Sequence, residues 1–196
     1  MAENAEGDKD RQSGGLSRQT KLYLRFAAMI LTAMVVMYWT MFAGTWEWSH
    51  VRWSESRLFM TLTMGGAMGL IMLAWMLDMY RNTKGNIAIV AASLLLLGGG
   101  VFLDRSQTTV QDPAWMSSMI PHHSLAITRS ERAEITDVRV CRLAVEIIAA
   151  QEREIGEMDW LIKDIEKNGE ARTPEEAKAR PVPDFKGSPL RECPQD

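Results

Sequence analysis

Apolar and polar positions follow two different rules along this chain. In its first half they separate into blocks: Leu22 to Ala43, Leu58 to Met79 and Asn86 to Leu103 are apolar almost throughout. Each block is near the ~20 residues that cross a ~30 Å hydrocarbon layer. Buried core helices of a soluble domain are the rival reading, but three blocks in succession with spanning length favour the bilayer. Because backbone groups in lipid must be satisfied within their own segment, three separated blocks predict three transmembrane helices.

Beyond Asp104 the blocks give way to a helical stripe. Asp112-Pro113 reads as a helix start, an N-cap acceptor followed by proline. Met116, Met119/Ile120, His123, Ile127 and Ser130 then recur at helical spacing. Thr136-Asp137 reads as a turn and N-cap, after which Cys141, Ala144, Ile148, Gln151, Ile155, Met158, Ile162 and Ile165 carry the stripe to a stop at Asn168-Gly169. Two amphipathic helices joined by a short turn predict an antiparallel hairpin. The expected fold is therefore all-α. Residues 1–20 form a disordered cytoplasmic N-terminus, 21–104 a three-span anchor, 105–168 a helical hairpin domain, and 169–196 an extended, proline-punctuated tail.

Composition hides this division. The 196 residues are 46% hydrophobic with a formal net charge of −3, values that suit a soluble domain. Local charge is more informative. Lys9, Arg11, Arg18, Lys21 and Arg25 precede or open the first span, and Arg81 and Lys84 sit between the second and third. The loop between the first two spans balances Arg52 and Arg57 with Glu47 and Glu55 and carries Trp46, Trp48 and Trp53, which suit an interfacial belt. The positive-inside rule then puts the N-terminus in the cytoplasm and the C-terminal domain outside, in the periplasm of a bacterial inner membrane. The first block is too long for the apolar core of a cleaved signal peptide. The bilayer is the expected partner, and nothing suggests nucleic acid. One hairpin buries too little to be stable alone, so a second copy in a homodimer, the tryptophan-rich loop or another subunit of a larger membrane complex is expected to complete it.

All three histidines, His50, His122 and His123, fall on the outer side, two of them in "MSSMIPHHS". Thioether sulfur is a soft ligand suited to copper(I), and imidazole suits copper in both oxidation states. Met116, Met119 and His123 share a helical stripe, and His122 is three residues from Met119. Pro121 cannot donate to Ser117, so a local bend is expected there. Pairing across the turn brings this stretch opposite Gln151, Glu154 and Met158. Met116 and Met119 can equally be gap-filling core residues and His123 a hydrogen-bonded one. Zinc would want four N, S or O ligands, and no CxxC or HxxxH occurs. The paired Glu-x-x-His motifs of di-iron bundles are absent.

From about Asp112 to Lys167 the sequence resembles the bacterial family catalogued as domain of unknown function 305, which includes CopM-like periplasmic copper-binding proteins. Met119-Ile-Pro-His-His123 and Ala150-Gln151, Glu154 and Met158 carry the likeness. "WEWSHVRWSESRLFM" and "DMYRNTKGNIAI" are similar to a membrane-anchored branch of that family. The resemblance implies a helical bundle related to ferritin-like folds and copper(I) or silver(I) binding. The implied ligands are His122, His123 and Met119, with Met116 and Met158 as further candidates. Gln151, Glu154 and His50 are expected to support them from behind.

The remaining features are weighed on their own. Met60, Met64, Met68, Met72 and Met76 recur every fourth residue, but such a series drifts about 40° per step on a 3.6-residue helix. It wraps round the helix, which favours adaptable packing over a metal path. Gly65, Gly66 and Gly69 offer a small face for close helix approach, within the chain or to a partner. Cys141 and Cys193, the only cysteines, either bridge the tail to the second outer helix or stand apart, Cys141 buried and Cys193 free. No nucleophile–base pair or open metal triad is visible. The expected function is non-enzymatic: a membrane-anchored periplasmic copper(I)- or silver(I)-binding protein, or else an accessory subunit of a larger membrane complex.

Overall fold

A computed structural model describes residues 17–194. Among these residues, six α-helices make up the fold: α1 (Arg18–Thr40), α2 (Glu55–Trp75), α3 (Thr83–Ser106), α4 (Asp112–Arg132), α5 (Val138–Asn168) and α6 (Pro174–Ala179). A single 3-10 turn, Trp48–His50, lies between α1 and α2, and no strand occurs among the described residues. α1, α2 and α3 are each long and apolar enough to cross a membrane.

The helices do not end where hydropathy ends. α1 and α2 both stop short of their apolar blocks, because their last turns tighten into i→i+3 bonds: Phe42 N–H to Trp39 O, and Met79 N–H to Met76 O. α3 instead runs about a turn beyond its block at each end. Hydropathy measures what the solvent tolerates and not where backbone hydrogen bonding stops. Of the expected disordered segment 1–20, residues 1–16 lie outside the described residues. Arg18–Thr20 are helical, because Ser17 Oγ caps the helix by accepting from Thr20 N–H at 3.1 Å.

The chain divides into two compact units. One comprises Met1–Val35 with Leu62–Gly100, the other Val36–Thr61 with Val101–Asp196. In the first, Phe26, Ile30, Leu73 and Tyr80 form a small buried cluster against which Met34, Met68, Met72 and Met76 pack. Met64 of the same i+4 series is exposed, as the drift requires. Gly65 lies under Met34, Gly66 against the backbone of Ser93 and Leu97, and Gly69 against the Ser93 hydroxyl. The glycine face is thus used within the chain.

In the second unit α4 packs along α5. Met116, Ile120, Ile127, Ile148, Ile155, Met158 and Ile162 form one buried core, with Trp46 and Met119 packed against it. Asp137 caps α5 by accepting from Arg139 N–H at 2.8 Å, and Gly169 ends it with φ 78°. Gln111, rather than Asp112, takes the N-cap position of α4, and the helix continues through Pro121.

The tail corrects one expectation, for it is not extended throughout. Thr173 and Glu176 form a reciprocal capping box, Pro174 opens the helix, and α6 results. The segment after α6 then returns along α5 as a strap. Phe185 covers Gly156, and Gly187 sits so close to Ala149 that a Cβ there would lie 2.3 Å from its carbonyl oxygen. Ser188 N–H donates to Glu152, and the Arg191 guanidinium donates to the carbonyls of Ser130, Glu131 and Ala133, which α4 leaves unbonded at its C-terminus. Beyond it Cys193 is bonded to Cys141, with Cα atoms 5.9 Å apart.

A candidate histidine site on the α4–α5 seam

The motif's side chains part company along α4. Met116 is 4% exposed and belongs to the core, as does Met158 of α5 at 6%, while Met119 is partly buried against the same core. Their thioethers therefore already have a packing role. His122 is exposed, and His123 sits at the seam with its side chain 12% exposed. The two imidazole centroids are 6.0 Å apart.

His123 Nδ1 lies 3.1 Å from Glu154 Oε2, a close contact outside hydrogen-bond geometry that pairs charges only when the ring is protonated. Burial pushes the His123 pKa below its ordinary value; Glu154 opposes that shift and His122 adds to it. The facing carboxylate engages Nδ1 and leaves Nε2 as the nitrogen available to another partner. Glu154 is itself near Arg153, at 3.6 Å. Gln151 is partly buried on the same helix.

One residue along, Ser124 is fully buried and joins α4 to the loop before α2. Its Oγ accepts from Trp46 N–H at 2.7 Å and pairs with His50 Nδ1 at 2.8 Å. His50 Nε2 faces Glu47 Oε2 at 3.8 Å, and two residues on Arg52 pairs with Asp159 at 2.7 Å. Desolvation lowers the His50 pKa; Glu47 and Asp159 raise it and Arg52 lowers it, each by less. His50 therefore meets α4 beside the motif, and its ring nitrogens face Ser124 and Glu47 rather than the rings of His122 and His123.

Sequence reasoning missed Ser124 and Asp159. Ser124 left a trace, since it occupies a core position between Ile120 and Ile127, where a buried hydroxyl must find a partner. Asp159 left none, because its partner Arg52 is set by the path of a loop. Among the described residues, no group of three or more His, Cys, Asp or Glu side chains converges as a metal site.

Residues 112–188 match the family model described as "Domain of unknown function (DUF305)". The chain is also similar to Uncharacterized protein L153 of Acanthamoeba polyphaga mimivirus, 34% identical over 102 residues that make up 48% of this chain and 67% of that protein. No solved structure matches the chain. The family model takes in α4, α5, α6 and the first part of the strap, and with this relative it shows that the chain belongs to the domain of unknown function 305 family.

Proposed function

We propose that this is a membrane-anchored protein that binds copper(I) or silver(I) on the periplasmic side of a bacterial inner membrane, through His122, His123 and Met119, with no catalysis of its own. α1, α2 and α3 form the anchor. The observation that carries the reading is the contact of His123 Nδ1 with Glu154 at 3.1 Å. Metal-binding imidazoles commonly donate their other N–H to a carboxylate, and Glu154 stands at that distance from Nδ1, although the contact is not itself a hydrogen bond. The neighbouring His122 ring, with centroids 6.0 Å apart, stands at a spacing that two imidazole–metal bonds of ~2 Å can bridge. Met119, four residues before His123, supplies a soft donor from the core edge. Met116 and Met158 act behind it as packing, and the helix pair belongs with ferritin-like bundles.

Anaerobic copper(I) titration of the full-length protein in nanodiscs, against a competing chelator, tests this. His122→Ala/His123→Ala should abolish competition, Met119→Leu should weaken it, and Glu154→Gln should cost about tenfold in affinity. Equal affinity of the double variant and the parent protein would overturn the reading.

A second reading, an accessory subunit of a larger membrane complex or a homodimer, is favoured by the outer face of α5. There Val140, Leu143 and Ile147 remain 48%, 55% and 36% exposed at i, i+3 and i+7. Native electrophoresis after mild extraction decides it: a single monomer band counts against any such assembly.

A further inference from the structure

α5 carries two apolar stripes, and only one of them is buried. Cys141, Ala144, Ile148, Ile155, Met158 and Ile162 lie in the core. Beside them Val140, Leu143 and Ile147 stay exposed, and with Ala150 they recur at i, i+3, i+7 and i+10, the alternating spacing of a coiled-coil seam. The strap runs elsewhere. It meets α5 at Cys141, Ala149, Glu152 and Gly156, and Cys141 and Ala149 are each two positions from Leu143 and Ile147, about 200° round the helix.

This second stripe is complementary to itself. Two copies of α5 laid antiparallel about a point between Leu143 and Ala144 set each Val140 against the partner's Ile147, with the two Leu143 side chains adjacent between them. The charges beside the stripe favour that register. Arg139 and Glu146 are both exposed, and seven residues apart they stand on one flank of the stripe. An antiparallel two-fold keeps that flank on one side of the seam, so each Arg139 comes beside the partner's Glu146 and two ion pairs form reciprocally. Arg139 already lies 2.6 Å from its own Asp137, but its side chain is 90% exposed. Such a pair is weak, and the guanidinium keeps donors for a second carboxylate. Of the other cations on this length of α5, Arg142 lies about 100° from Leu143 and Arg153 is engaged by Glu154 and Glu157.

We propose that the stripe pairs with its own copy, two chains joining through antiparallel α5 helices with each Arg139 held by the partner's Glu146. The inference rests on the second reading above, that the chain assembles, and commits it to one partner. A two-fold contact of this kind uses the same patch on both copies, so it closes at a dimer. In that register Glu154 falls opposite the partner's Ala133. The histidine seam therefore stands at the end of the interface and is not consumed by it.

The test uses the full-length protein in membranes of cells that express two differently tagged copies together. A photoreactive benzoylphenylalanine replacing Ile147 should give a product carrying both tags, linked from position 147 to the stretch around Val140. The same group replacing Arg153, off the stripe, should give none, and Leu143→Glu should abolish the first product. In detergent, Arg139→Glu and Glu146→Arg should each weaken self-association about tenfold, since two ion pairs become like-charge contacts. The double variant Arg139→Glu/Glu146→Arg should restore it, because only a second copy reverses its charges along with the chain. His122→Ala/His123→Ala should leave pairing unchanged, and retention of the Cys141–Cys193 bond checks folding throughout. Links only to lipid or to another protein, or a double variant no better than the single ones, would overturn the inference. A link to another protein would still leave the second reading standing, whereas a monomer throughout would end both.

Discussion

The helices α1 to α3 and the helices α4 and α5 bury their side chains by opposite rules. In the apolar helices no spanning window buries more than 33% of its residues, and Leu31, Ile87 and Leu95 stand well exposed. In the amphipathic pair the exposed surface is mainly charged, and Ile120, Ile127 and Ile148 are almost completely enclosed. On the proposed reading that α1 to α3 lie in a bilayer, expulsion of apolar surface cannot hold them together, and close backbone approach must do so. Gly65, Gly66 and Gly69 supply that approach. In the amphipathic pair, water supplies the driving force and the isoleucine stripe receives it. The lesson is that a glycine in one region does the work of an isoleucine in the other.

The sharpest way to break this contrast is covalent. The strap closes a loop with a sequence separation of 52. Removing the bond with Cys193→Ser should cost the helix pair about 4 kcal/mol by loop-closure entropy. A thermal melt followed by circular dichroism, with and without reductant, should show the parent falling to the variant's midpoint while α1 to α3 stay helical. Next in size is the core itself. Ile148→Ala should destabilise the pair by roughly 3 kcal/mol, whereas Leu95→Ala, at a 76% exposed position, should change stability by less than about 0.5 kcal/mol. Denaturant titration of both variants in detergent checks the pair of values; a costly Leu95→Ala would erase the contrast.

Glycine variants probe the other side. A Cβ on Gly66 would meet Ser93 O at 2.4 Å and Leu97 N at 2.5 Å, backbone atoms that cannot swing away, whereas one on Gly99 would meet nothing within 4 Å. Gly66→Val should therefore cost about 2 kcal/mol, and Gly99→Ala should be neutral or slightly stabilising. Thermal unfolding in detergent separates the two. The smallest effect is expected from pH. Burial lowers the pKa of His50, so the folded chain binds fewer protons there than the unfolded one, and folding is penalised as pH falls through ~6.5 toward the lowered value. The loop carrying Trp46 should loosen between neutral and mildly acidic pH, seen as a lower protection factor for the Trp46 amide relative to its intrinsic exchange rate, and His50→Asn should flatten that dependence.

Much of this architecture is legible from residue order, for reasons that differ by element. Asp137 and Gly169 act through their own neighbours, so local sequence alone marks both ends of α5. The drift of the methionine series follows from helix geometry. The ends of α1 and α2 are not legible, because their last turns tighten inside apolar sequence that carries no stop signal. α6 is signalled by Thr-Pro-Glu-Glu but masked by the prolines around it. At the seam, the approach of His123 to Glu154 follows from pairing two stripes across a short turn. The bonds of Ser124 to Trp46 and His50 depend on a loop 74 to 78 positions away, beyond the reach of any local pattern.

Arg191 ties the end of α4 to a late part of the chain. The carbonyls it satisfies at the end of α4 lie 58 to 61 positions earlier in sequence. Local bonds can form α4 and α5 early, but contacts of such high sequence separation must wait for the chain that supplies them. Until residues 191–193 are made, Cys141 can only be a thiol and the last carbonyls of α4 lack the Arg191 donor. A pulse of thiol-alkylating reagent during synthesis would catch Cys141 at that stage, and protection should arrive only with Cys193.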